Sequence, residues 1–161
     1  MTSISTERIT GRSLIEPALF DRMVIRIARA EEMETGLAER IMDQALAFLG
    51  ACAVNPGAGL APSSLVDIGW HTFILHTTEY ADFCHALSGR FLHHVPTDGA
   101  DESTKGIGIA PTAAVIEASG FAVDADLWSM SAECSEGSGG DGSDTSGSGK
   151  CSQCHRGCHS S

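Results

Sequence analysis

Apolar residues recur along this chain with the period of a helix, and the polar positions between them mark where each helix turns or stops. From Leu14 to Glu31, the residues Leu19, Met23, Val24 and Ile27 line one helical face, and Pro17 suits a first turn. A second helix is predicted from about Glu34 to Cys52. Leu37, Ile41, Ala45, Phe48 and Leu49 form its stripe, Glu39, Arg40 and Asp43 lie off it, and the run Asn55-Pro56-Gly57-Ala58-Gly59 ends it. Ser64, followed three residues later by Asp67, reads as the start of a third helix reaching about Leu75, with a carboxylate near its positive end. Thr77 and Thr78 offer the cap of a fourth, Glu79 to Ser88, closed by Gly89 where a left-handed residue is easiest. Arg90 to Val95 reads as a short extended or irregular piece and Thr97 to Gly108 as a loop. Pro111 to Ser119 makes a short helix ended by Gly120, after which Phe121, Val123, Leu127 and Trp128 pack back on the core.

The fold class expected is therefore all-α, a small bundle of four to five short helices. Residues 1–13 read as a flexible N-terminus, 14–130 as the helical domain, and 131–161 as a disordered acidic Gly/Ser linker ending in a Cys/His cluster. Composition sharpens that last boundary. Of 161 residues, the final 29 hold four of six cysteines, seven of 18 glycines and eight serines, and the stretch from Glu136 to Gly149 has no apolar residue to bury.

Charge narrows the partners. The net charge of −11 divides into 17 acids against 8 bases before Glu133 and 4 against 2 from Glu133 on, so both parts are acidic. Arg22, Arg26 and Arg29, the densest basic cluster, are followed at once by Glu31, Glu32 and Glu34, which argues against nucleic acid. No run approaches a membrane span, and MTSISTERITGRSLIEP lacks a secretory pattern, so a cytoplasmic protein is expected with no membrane partner. Thiols stay reduced in that compartment, which makes the cysteines metal ligands, reactive groups or packing residues before disulfides.

The richest chemistry lies in Val66 to Pro96, where five of seven histidines accompany Cys84. Asp67 and His71 lie one helical turn apart, so the carboxylate can receive a ring N–H and fix which nitrogen is free. Two antiparallel helices would bring His71 toward Cys84, with His93 or His94 arriving from the exit of the second. Nitrogen and sulfur donors of that kind suit zinc before calcium or magnesium. Trp70, Phe73, Tyr80, Phe83 and Phe91 read as core, and His76 and His85 as solvent-facing. A nucleophilic Cys84 served by His71 and Asp67 lacks an oxyanion hole and a nucleophile turn. A zinc-activated water with Glu79 or Asp82 as base is the enzymatic alternative.

Asp67, Trp70-His71-Thr72, Tyr80, Cys84, Gly89 and the final histidines together resemble the block D-x-x-W-H-T…Y-x-x-x-C…G…H of the glycine-rich domain-containing proteins, over residues 66–96. The resemblance implies a helical domain with a histidine-cysteine cluster and a glycine-rich extension more than it implies a reaction. Members of that family often carry a second histidine two residues after the first. Here that position is Phe73, so a site using that histidine is incomplete, or rebuilt from His76.

The tail offers a second constellation. Cys151, Cys154 and Cys158 with His155 or His159 can wrap one zinc or copper ion, since C-x-x-C presents two thiolates to one centre. The string C-x-x-C-H also matches c-type haem attachment, but haem is joined outside the cytoplasm and needs a folded pocket, so neither haem nor a nucleotide cofactor is expected. The functional expectation is a small cytoplasmic zinc-binding helical protein whose tail captures or hands over a soft metal or tethers a protein partner. The alternatives are a precursor of a ribosomally made, modified peptide, its terminal Cys and Ser residues being substrates of a modifying enzyme, and a metal-dependent hydrolase.

Overall fold

A computed structural model describes residues 7–95 and 107–129. They form an all-α domain with α1 at Pro17–Ala30, α2 at Thr35–Val54, α3 at Ser64–Ile74, α4 at Thr77–Ser88, α5 at Ile109–Ala118 and the single turn α6 at Ala125–Trp128, preceded by a 3-10 turn at Gly11–Leu14. Among the described residues there is no strand, only an isolated parallel bridge between Ile9 and Phe121. The tail residues Cys151, Cys154, Cys158 and His159 lie outside the described residues.

The longest helix, α2, is the axis of the domain, and α1, α3 and the 3-10 turn pack around it. The five-residue stripe expected on α2 understates its burial: Ala38, Ile41, Met42 and every residue from Gln44 to Ala51 are buried. A central helix has neighbours on nearly all sides, so its small residues become close-approach points. A Cβ added at Gly69 of α3 would stand 2.6 Å from the Ala45 Cβ and 3.1 Å from the Ile41 carbonyl oxygen, so α3 lies on α2 at backbone distance. On α1 the buried face is Phe20, Met23, Val24 and Ile27, with Leu19 only partly covered.

Two expectations need correction. The segment read as a flexible start is tied to the domain from Ile9 onward: Ile9 exchanges backbone hydrogen bonds with Gly120 and Ala122, both at 2.9 Å, and Gly11 is buried against the α2 backbone at Asp43. A bare glycine lets the turn touch α2, which the polar sequence around it conceals. Phe91, expected in the core, is instead exposed, with Tyr80 at one ring edge. The closing segment does fold back as its apolar spacing implies, with Phe121, Leu127 and Trp128 buried.

One buried polar residue clamps that closing segment. Gln44 Nε2 donates to the Ala122 carbonyl at 3.0 Å and to Asp43 at 3.1 Å, while its Oε1 accepts from the Asp124 N–H at 3.1 Å and from Trp128 Nε1 at 2.8 Å. Every hydrogen-bonding position of the amide is used, which is the condition under which a buried glutamine is tolerated. Outside it, Arg40 holds Asp124 through two bonds of 2.6 and 2.8 Å and Asp126 through one of 2.9 Å.

Candidate metal centre

Helix α3 begins one residue earlier than a Ser64 cap would require. Ser63 is the cap, its hydroxyl accepting from the Val66 N–H at 3.2 Å. That shift takes the Asp67 carboxylate out of reach of a reciprocal capping bond and leaves it free to face along the helix toward His71, one turn on. The two residues stand on the same face, with His71 Nε2 3.4 Å from Asp67 Oδ2.

The third member comes from beyond α4. That helix is stopped by Gly89, whose φ of 68° is left-handed, and the chain then runs through Leu92 to Val95 without regular structure. Side chains alternate along it. Leu92 points into the core and His94, two residues on, shares its side, while Phe91 and His93 pair on the other with ring centroids 4.8 Å apart. His94 Nε2 thereby reaches Asp67 Oδ1 at 2.7 Å and His71 Nε2 at 3.0 Å, and its ring lies against Trp70 with centroids 4.4 Å apart.

Asp67, His71 and His94 thus place one oxygen and two nitrogens within 4.8 Å of one another, the one such convergence of three potential ligands among the described residues. Side-chain exposure grades from 15% at His94 through 30% at Asp67 to 55% at His71, so the cluster has a walled inner side and an open outer one. Each neutral imidazole carries a single N–H, so two Nε2 protons turned to the Asp67 carboxylate serve two of the three short contacts and leave the two nitrogens facing each other without a shared proton. A cation facing all three lone pairs serves every one. Ligands at about 2.0–2.2 Å from one ion, set roughly 90–109° apart, stand about 2.8–3.6 Å from each other. The two nitrogens, 3.0 Å apart, fall in that range, and the carboxylate meets them with different oxygens, Oδ2 at 3.4 Å from His71 and Oδ1 at 2.7 Å from His94.

Several expected members are elsewhere. Cys84 is fully buried on the core side of α4, its thiol against the Tyr80 hydroxyl one turn earlier, so the structure does not bring sulfur to the histidines. Spacing along the sequence cannot tell which side of α4 faces α3; packing puts Tyr80, Phe83 and Cys84 inward. His93 turns away over a cavity of about 180 Å³ walled by Phe48, Cys52, Trp70 and Arg90. His76 donates from Nδ1 to the Thr72 carbonyl at 3.0 Å and does not rebuild the position held by Phe73. Of the proposed bases, Glu79 pairs with Arg22 of α1 at 3.2 Å, and Asp82 lines a separate groove beside Leu14 and Phe83. Asp67, expected as an orienting residue behind the histidines, meets both of them directly. The i, i+4 spacing that pointed to an orienting role is equally the spacing that aims two side chains at one point.

Cys52 packs against the core, and burial pushes its thiol up to about 12, which keeps it protonated and unreactive. No helix among the described residues is long and apolar enough to cross a membrane.

Fold and site together define a small all-α domain protein carrying a surface-opening His–His–Asp cluster assembled from two separate pieces of chain. Residues 12–108, more than half of the chain, match the UCP032817-like family, and the protein belongs to it. The match takes in all three members of the cluster. No curated protein and no solved structure matches the chain.

Proposed function

We propose that this protein binds a divalent first-row metal ion, zinc in the first instance, through His71 Nε2, His94 Nε2 and a carboxylate oxygen of Asp67. The observation that supports the reading is the convergence of two imidazole nitrogens, 3.0 Å apart, and a carboxylate, with one donor atom of each residue within 4.8 Å of the others. Two imidazoles and one carboxylate form a three-ligand set that leaves a coordination position for water, the arrangement used where zinc is exchangeable or reactive. The carboxylate and the acidic surroundings, a net charge of −11, favour capture of a cation.

In this proposal the kinship to the glycine-rich domain-containing proteins supplies the shared block, Cys84 serves packing, and the thiolates of Cys151, Cys154 and Cys158 are a second, softer site that passes metal on or tethers a partner in a reducing cytoplasm. A metal-dependent hydrolase is the second reading, favoured by the open position and weakened because Glu79 and Asp82 both stand away from the cluster.

The test uses the full-length chain with Cys134, Cys151, Cys154 and Cys158 changed to serine and His155 and His159 to alanine, which removes the competing donors. One equivalent of zinc should bind by calorimetry, and Asp67→Ala, His71→Ala and His94→Ala should each abolish stoichiometric binding. Zinc at 100 times its Kd should stabilise the fold by about 2.7 kcal/mol. Absence of stoichiometric binding, or binding that survives all three substitutions, refutes the proposal.

A further inference from the structure

The cluster draws its members from two arms with different mechanical support. Asp67 and His71 are fixed relative to each other by the geometry of α3. His94 belongs to an irregular segment, so no ladder of backbone bonds fixes it against α3.

The hydrogen bond nearest to it in the chain is made by a phenol. Tyr80 of α4 donates from its hydroxyl to the Leu92 carbonyl at 2.5 Å and accepts from the Trp70 indole N–H at 2.9 Å, and all three groups are buried. Trp70 directly precedes His71 and holds the His94 ring against its own face. Burial raises the Tyr80 pKa above the ordinary phenol range, so the proton that the Leu92 carbonyl needs stays on the oxygen.

We infer that Tyr80 is the positioning residue of the metal centre: its hydroxyl sets the distance between the arm carrying Asp67 and His71 and the arm carrying His94. The inference rests on the metal reading above. Phenylalanine fills the same space and leaves an indole donor and a carbonyl acceptor facing each other across a gap that neither spans. Water must enter or the Leu92–His94 segment must shift, and metal ligation tolerates only about ±0.2 Å in ligand distance. Removing partners that orient ligands costs about 10–100-fold in metal affinity.

The experiment titrates cobalt(II) into the full-length, tail-substituted protein at 25 °C and follows its visible absorption. The background protein should give one saturable spectrum. Tyr80→Phe should raise the Kd by about 10–100-fold and move the saturated spectrum toward that of His94→Ala. Phe73→Leu is the control, because Phe73 packs edge-on to Tyr80 with centroids 5.2 Å apart and makes no hydrogen bond to the Leu92 segment. It should lower thermal stability and leave Kd and spectrum unchanged. Tyr80→Phe binding like the background protein, or Phe73→Leu weakening binding equally, overturns the positioning role alone. No cobalt binding by the background protein overturns the metal reading and this inference with it.

Discussion

Replacing Gln44 by methionine keeps the length and flexibility of the side chain and removes its four hydrogen bonds. The Trp128 indole N–H, buried under the closing segment, loses its acceptor, and the half-buried Asp124 N–H and Ala122 carbonyl lose theirs. An orphaned buried group costs about 1–3 kcal/mol. Trp128 carries that cost in full, while water reaches the other two in part, and the thioether regains something by being apolar. The net destabilisation is then about 2–4 kcal/mol. At roughly 3–6 °C per kcal/mol for a domain of this size, the melting temperature should fall by about 6–24 °C. Thermal denaturation by circular dichroism measures the total, and hydrogen exchange at 122–128 locates it, because the closing segment should open before the α2 core. A melting temperature within about 2 °C of wild type, or exchange that rises everywhere alike, would mean that the closing segment is held by apolar packing and that the amide clamp is incidental.

Gly69→Ala should push α3 off α2 and cost about 1–3 kcal/mol, with a weaker cobalt site because Asp67 and His71 ride on the displaced helix; calorimetric unfolding and titration test both. Cys84→Ala should lower stability while leaving metal affinity intact, and a fall of the size expected for a lost ligand would restore sulfur to the centre. For the surface pair, Arg40 lowers the Asp124 pKa through its hydrogen bonds, so the bridge contributes above the ordinary carboxylate range and is lost as pH falls through the lowered value. Wild type should therefore exceed Arg40→Met in stability at neutral pH, and the gap should close below about pH 4 in urea titrations. A gap independent of pH would show that the guanidinium acts through packing.

Periodicity determined the helices of this protein, because a 3.6-residue repeat of apolar side chains has one regular structure that buries it. Gly89 and Gly120, both at positive φ, stop helices for a reason visible in the residue itself. What a one-dimensional pattern leaves open is how a helix is rotated and what meets it from afar. Cys84 and His71 look equally available from their spacing, and only the packing of Tyr80, Phe83 and Cys84 toward the core turned the thiol away. The choice of His94 over His93 was half legible, since a two-residue alternation from buried Leu92 selects it once that segment is known to be extended. Gln44 carried no signal in the sequence, because three of its four partners lie 78 to 84 residues away. Local spacing thus determined which residues share a face, and tertiary packing decided which faces meet, because burial is settled by neighbours that the chain reaches only after folding.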